Sequence, residues 1–212
     1  YYHQKYIFGT QIKNIPDSDT VLVSDSSSDI FSRELDFSKF GILYAGAQKN
    51  MGPAGTTLVV VREDVLGKVT HSIPSMLDYE IHSSKGSMFN TPPVFAVYTS
   101  MLTLEWLKNL GGIKAIETKN NAKADLIYRE IDRNQLFKGF AAQEDRSTMN
   151  ATFTLEEAKL KERFDILCAD ALINGINGHR SVGGYRASMY NALPIASVQT
   201  LVDVMKELER TA

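Results

Sequence analysis

The sequence predicts an α/β fold in two parts, and three observations carry that expectation. Short, nearly continuous apolar segments at 20–24, 41–45 and 56–61 are separated by longer connections. Such strands fit a sheet buried on both faces, of the parallel or mixed type, because a one-sided antiparallel sheet would show apolar/polar alternation. Two long stretches of helical period, at 94–110 and 113–133, flank the pair Gly111-Gly112. Finally, residues 149–210 read as strand, helix, strand, helix, which is a small α/β unit in its own right. A boundary near the glycine pair divides the chain into 1–112 and 113–212.

Residues 1–19 give a weak strand and a polar loop ending in Pro16-Asp17-Ser18-Asp19. Thr20–Ser24 is a short apolar strand stopped by Asp25-Ser26-Ser27-Ser28-Asp29, and 30–40 forms a short helical or irregular connection. Two further strands flank a turn-rich segment, 44–55, punctuated by Gly46, Gly52, Pro53 and Gly55. Residues 63–68 predict a short helix ended by Gly67, and 71–93 a long irregular segment, a length that is usually functional or interfacial. Asn90-Thr91-Pro92-Pro93 has helix-start chemistry, capping side chains followed by prolines. Val94, Val97, Tyr98, Met101 and Leu104 then form the expected apolar face of the first long helix. In the second, Ile116, Ala124, Ile127 and Ile131 point inward. A strand at 149–155 is followed by a helix over 156–176 with Phe164, Leu167, Cys168, Ala171 and Leu172 inside. A strand at 185–190 and a helix at 194–210, with Val198, Leu201, Val202, Met205 and Leu208 inside, complete the chain.

Composition excludes several classes. A net charge of −2 gives no electrostatic case for nucleic acid or an anionic membrane. No apolar run reaches transmembrane length. The single cysteine, Cys168, makes no internal disulfide, which fits a reducing, cytoplasmic setting. Four scattered histidines give no metal-ligand spacing, and no phosphate-loop or dinucleotide glycine motif is present. The chain opens without methionine or signal-peptide pattern, which reads as a piece of a longer protein.

Three groups of residues can carry chemistry. Lys49 sits among Ala, Gly and Met where two buried strands meet. A lysine short of water gains from losing its proton, and its amine becomes a nucleophile suited to a Schiff base. A lysine at a loop tip with its head in solvent is the other reading. Asp25 ends a buried strand, the edge at which ligands sit in open α/β sheets, and could pair with a cationic ring nitrogen. Asp25-Ser26-Ser27-Ser28 is equally good turn chemistry. Together, lysine and aspartate match the needs of pyridoxal phosphate, whose ring nitrogen an Asp keeps protonated. The third group is His179, Arg180 and Arg186 around a glycine pair, where arginine forks suit carboxylate and phosphate. A plain surface or an ion pair would also explain each of these taken singly.

The segments Val23–Arg33, Tyr44–Gly55, Ser87–Pro93 and Gly178–Ala192, in that order, resemble the motifs of phosphoserine aminotransferases, and Arg146–Asn150 is similar to the start of a strand in their small domain. The resemblance covers nearly the whole chain. It implies an aspartate-aminotransferase-like fold (fold type I): 1–112 as the C-terminal part of the large cofactor-binding domain, 113–212 as the small C-terminal domain. It also implies that Lys49 bears the cofactor, Asp25 meets its ring nitrogen, and Gln48 binds its phosphate. Asn90 and Thr91 would reach that phosphate from a second subunit, hence a homodimer with a shared site. His179 and Arg180 would hold the substrate phosphate and Arg186 its α-carboxylate. The implied reaction exchanges an amino group between glutamate and 3-phosphohydroxypyruvate, giving phosphoserine and 2-oxoglutarate in serine biosynthesis.

The chain departs from the family at Gln4-Lys5-Tyr6, where Tyr6 takes the place of a threonine that touches the cofactor. The family's N-terminal part, with the aromatic ring that stacks on the cofactor, has no counterpart in these 212 residues. A polypeptide of these residues alone is therefore expected to bind pyridoxal phosphate poorly and to transaminate little. Two alternatives stand beside this reading. One is another class V enzyme, a cysteine desulfurase or alanine-glyoxylate type. The other is a non-catalytic fragment serving folding or dimerisation.

Overall fold

The computed structural model describes Tyr2, His3 and residues 6–212, with side chains from Ile7 onward. Gln4, Lys5 and the Tyr6 side chain, where the departure from the family falls, lie outside that part. The described residues form two compact units, 2–3 with 14–110, and 6–13 with 111–212.

The first unit is built on a mixed four-stranded sheet of β1 (Tyr2–His3), β2 (Val23–Asp25), β3 (Ile42–Gly46) and β4 (Thr57–Val61), in that spatial order. β1, β2 and β3 run parallel, and β4 is antiparallel to β3. Leu43, Ala45, Ala47 and Met51 of the β3 segment pack with Ile30 and Phe40 into one core. β3 alternates buried and half-buried residues and β4 is only partly covered, so the expectation of burial on both faces is met by neither strand. Residues 63–65 form a single 3₁₀ turn where a short helix was expected. The long segment 71–93 contains the short helix α1 (Tyr79–Ser84), started by the Asp78 carboxylate accepting from the Glu80 N–H.

Helix α2 (Val94–Asn109) corrects two expectations. Its N-cap is Pro93, with no side-chain cap, while Asn90 and Thr91 lie outside the helix and are exposed. The expected face is also the wrong one. Val94, Val97, Tyr98 and Met101 are exposed, Phe95 is 77% exposed, and the buried side is Ala96, Ser100 and Leu107, with Leu104 partly buried. The helix is apolar nearly all round, so periodicity could not select a side. Backbone approach selects it. A side chain at Gly52 would come within 2.7 Å of Ser100 Oγ and 3.1 Å of its Cα, and one at Gly55 within 3.4 Å of Ala96 Cβ. Only small residues on α2 admit the two glycines of the turn after β3.

The second unit contains α3 (Gly112–Arg133), the antiparallel sheet β5 (Phe137–Gly139), β6 (Asn150–Leu155) and β7 (Tyr185–Ser188), and the helices α4 (Lys161–Asp170) and α5 (Ile195–Thr211). α3 and α5 bury the residues their period selects: Ile116, Ala124, Ile127 and Ile131, and Val198, Leu201, Val202, Met205 and Leu208. α4 is much shorter than the expected 156–176. It ends at Asp170, Leu172 takes a φ of 58°, and its side chain is 84% exposed, a reversal of its expected inward place. β6 is buried on both faces. Ala151 and Phe153 face the core, and residues 8–11 strap the other face, with Thr152 Oγ1 donating to the Phe8 carbonyl (2.8 Å) and the Ser147 N–H to that of Gly9 (2.9 Å).

Lys123 of α3 is a charged residue inside this unit, 1% exposed, donating from Nζ to the carbonyls of Met189 and Tyr190, each at 2.9 Å. Burial pushes its ammonium down to about 8. The unfolded chain therefore holds more protons than the native one between pH 8 and the ordinary lysine value of 10.5. Stability is expected to rise with pH across that window, the penalty being complete below it. In denaturation midpoints the native sequence should gain on Lys123→Met by on the order of 3 kcal/mol from one end of the window to the other. Parallel curves would show that the buried ammonium carries no such penalty.

Candidate active site

β2 and β3 lie side by side in parallel, with Asp25 opposite Tyr44, so both strands end at the same sheet edge. Asp25 is the last residue of β2, and Lys49 follows three residues after β3 ends. The serine run links them. Lys49 Nζ donates to Ser28 Oγ at 3.3 Å, and the Gly46 N–H donates to Ser27 Oγ at 3.0 Å. Asp25 Oδ1 accepts the Ser27 N–H at 3.0 Å. The aspartate thus performs the local turn role that its sequence context allowed, while standing three residues from the serine that holds the lysine amine. Both side chains are half-buried. Lys49 is neither a solvated loop tip nor fully dry.

The turn that presents Lys49 is pinned on all sides. The Met51 and Gly52 N–H groups donate to the Ala47 carbonyl (3.0 and 2.8 Å), the Ala47 N–H donates to the Thr56 carbonyl (2.9 Å), and the Asn50 amide donates to the Ile30 carbonyl (3.0 Å). Asn50 and Met51 are buried, so the residues beside Lys49 fix its direction. Gln48 is exposed and folds its amide over Gly46, at a distance that no residue with a Cβ there would permit. Asn90 donates its amide to the Thr91 carbonyl (3.2 Å) in an exposed loop of the same unit.

In the second unit, Arg186 is half-buried on β7, opposite Thr152, with its N–H donated to the Ile176 carbonyl at 2.7 Å. His179 and Arg180 are exposed in the loop leading into that strand. His179 Nδ1 lies 2.8 Å from Ser181 Oγ, and the His179 carbonyl accepts the N–H groups of Val182 (2.9 Å) and Gly183 (2.8 Å). The loop closes through Gly178, whose N–H donates to the Gly184 carbonyl at 2.8 Å, and a Cβ at Gly178 would collide with the Gly183 carbonyl. Gly178→Ala is therefore expected to open this loop without unfolding the unit. Amide exchange should become faster over 178–184 and stay unchanged in α3 and α5, whereas unchanged exchange in the loop would contradict the closure.

Sequence reasoning missed Ser27 and Ser28, which were read as turn formers only. It also missed Lys123, whose apolar surroundings on α3 were the available signal.

A half-buried amine, a carboxylate at the neighbouring strand end and an amide-bearing turn are the groups of a site for a carbonyl ligand. The family model described as aminotransferase class-V matches residues 8–201, and the chain belongs to that family. Among curated relatives, the phosphoserine aminotransferase of Flavobacterium psychrophilum is 68% identical over 203 residues, 96% of this chain and 57% of that protein. Among solved structures, phosphoserine aminotransferase from Bacillus circulans subsp. alkalophilus superimposes with a TM-score of 0.94 at 41% identity, covering 100% of this chain and 60% of that one. The PLP-bound phosphoserine aminotransferase of Trichomonas vaginalis gives 0.91 at 35%, covering 97% and 60%. The fold is accordingly aspartate-aminotransferase-like, fold type I, and the chain spans under two thirds of the length of these relatives.

Proposed function

We propose that this chain contributes the lysine-bearing side of a pyridoxal phosphate site that transaminates between glutamate and 3-phosphohydroxypyruvate, giving phosphoserine and 2-oxoglutarate in serine biosynthesis. Residues 14–110 would belong to the large cofactor-binding domain, and 111–212, together with the strap at 8–13, to the small one. The observation that carries the reading is the Lys49–Ser28 hydrogen bond of 3.3 Å, which holds the amine at the strand edge where Asp25 stands. Among the described residues, that arrangement fits the cofactor: an amine for its aldehyde carbon and a carboxylate for its ring nitrogen.

When bound, the cofactor supplies an aldehyde carbon and a cationic ring that withdraws electrons. Asp25 holds the proton on the ring nitrogen. Lys49 would hold the cofactor through its amine and, when that amine is free, would serve as the base that takes up and returns the proton at the substrate Cα. Ser28 accepts a hydrogen bond from the amine and limits its swing. Gln48 would hold the cofactor phosphate with its amide, and Asn90 and Thr91 of a second copy would reach the same phosphate, so the working form would be a homodimer. His179 and Arg180 take the substrate phosphate, and Arg186 takes the α-carboxylate with its guanidinium fork. A cytoplasmic location suits this biosynthetic role, and among the described residues no helix is long and apolar enough to cross a membrane.

Arg186→Ala tests the substrate assignment. In the protein at its natural length, turnover of 3-phosphohydroxypyruvate at low concentration should fall on the order of a hundredfold or more, since a bidentate charged pair is lost. Native kcat/KM in that variant would refute it.

A further inference from the structure

We infer that Lys123 is a positioning residue for Arg186: from inside the second unit its ammonium grips the backbone just beyond β7 and sets where the guanidinium of that strand stands. The inference rests on the reading of Arg186 as the carboxylate site.

The grip is unusual in what it uses. A buried ammonium is costly unless its charge is answered. Among the described residues no carboxylate pairs with Lys123. Its donors go to two consecutive carbonyls, Met189 and Tyr190, each at 2.9 Å. One turn earlier on α3, Asn120 donates its amide to Asn191 Oδ1 at 2.9 Å, so two side chains of one helix hold residues 189–191. From the neighbouring strand, Asn150 Oδ1 accepts the hydroxyls of Ser188 (3.2 Å) and Tyr190 (3.4 Å), and the Met189 N–H donates to the Met149 carbonyl at 2.7 Å. Each of residues 188–191 is thereby tied, and Arg186 lies two residues upstream on a short strand. Extended backbone is stiff over so few residues, so a shift at Met189 or Tyr190 is passed to Arg186. A displacement of about 1 Å at a substrate-positioning group can cost on the order of a hundredfold.

The test is a double-mutant cycle in the protein at its natural length: native, Lys123→Met, Arg186→Ala and both together, with KM and kcat measured for glutamate and for 3-phosphohydroxypyruvate. Lys123→Met is expected to raise both KM values roughly tenfold or more, with a smaller change in kcat, and to add little in the Arg186→Ala background. A merely structural role would lower the active fraction, seen in apparent kcat, and leave KM alone. Effects that multiply in the double variant, or an unchanged KM in Lys123→Met, would overturn the inference by itself. An unchanged KM in Arg186→Ala would instead sink the carboxylate assignment, and the inference with it. Should Lys123→Met fail to fold, Lys123→Gln, which keeps a donor toward the carbonyls, takes its place with the same expected coupling and a smaller rise in KM.

Discussion

In the protein at its natural length, and with the proposed role of Asp25, Asp25→Asn is expected to cut turnover by between about a hundredfold and several thousandfold while leaving the fold intact. The substitution is chosen because asparagine keeps the oxygen that accepts the Ser27 N–H, at 3.0 Å in the native chain. The turn between β2 and Ser28 therefore survives, and with it the Ser28 oxygen that accepts from Lys49. What disappears is the negative charge. If Asp25 meets the ring nitrogen as proposed, that cation would be left without its carboxylate and would lose roughly 3–5 kcal/mol, the cost of breaking one partner out of a buried pair. Each 1.36 kcal/mol is tenfold in rate, which gives the stated range. The measurement is kcat together with the thermal midpoint. A variant that melts with the native protein and turns over at the native rate would remove Asp25 from the chemistry and return it to its turn.

Phe164→Ala should have the largest effect on stability. Phe164 is wholly buried on α4, among rings from the sheet it covers. Its centroid lies 5.3 Å from that of Phe137, 6.4 Å from Phe153 and 4.8 Å from Tyr185, all edge-on. Phe153 and Tyr185 are stacked at 5.6 Å, and the Tyr185 hydroxyl donates to Asp165 at 2.8 Å, beside Phe164 in sequence. Rings from all three strands of the sheet meet on this one side chain, so its removal leaves a void lined by β5, β6 and β7. The loss should be about 3–5 kcal/mol, read as a shift in denaturation midpoint. A loss below about 1 kcal/mol would show that the ring cluster repacks.

The helices that could be read from sequence are those with one apolar side. α3 and α5 each carry a clear stripe, so their limits and their buried apolar side follow from the period, whereas the buried Asn120, Lys123 and Glu130 of α3 do not. α2 is apolar around most of its circumference, and the glycine turn that settles its buried side lies some 45 residues earlier, at Gly52 and Gly55 against Ser100 and Ala96. α4 was read too long because Leu172 continues the pattern, while in the structure Leu172 takes a positive φ in a left-handed turn that ends the helix, with the Ile173 N–H donating to the Cys168 carbonyl at 2.8 Å. In the site, Asp25 and Lys49 were legible because strand ends and glycine punctuation announce them. Ser28 was not, since a serine in a turn has the same local chemistry whether or not a lysine amine arrives from a neighbouring strand. Residues 8–11 were equally silent, as nothing in them states that they will lie across β6.

The central claim concerns which amine meets the cofactor, and one measurement addresses it directly. The protein at its natural length is incubated with pyridoxal phosphate, reduced with borohydride, weighed intact and mapped by peptide. One added cofactor mass per chain, on the peptide containing Lys49 and missing from Lys49→Ala, is the predicted result. Retention on a different lysine, with buried Lys123 as the most telling case, or no retained mass at all, would contradict the account.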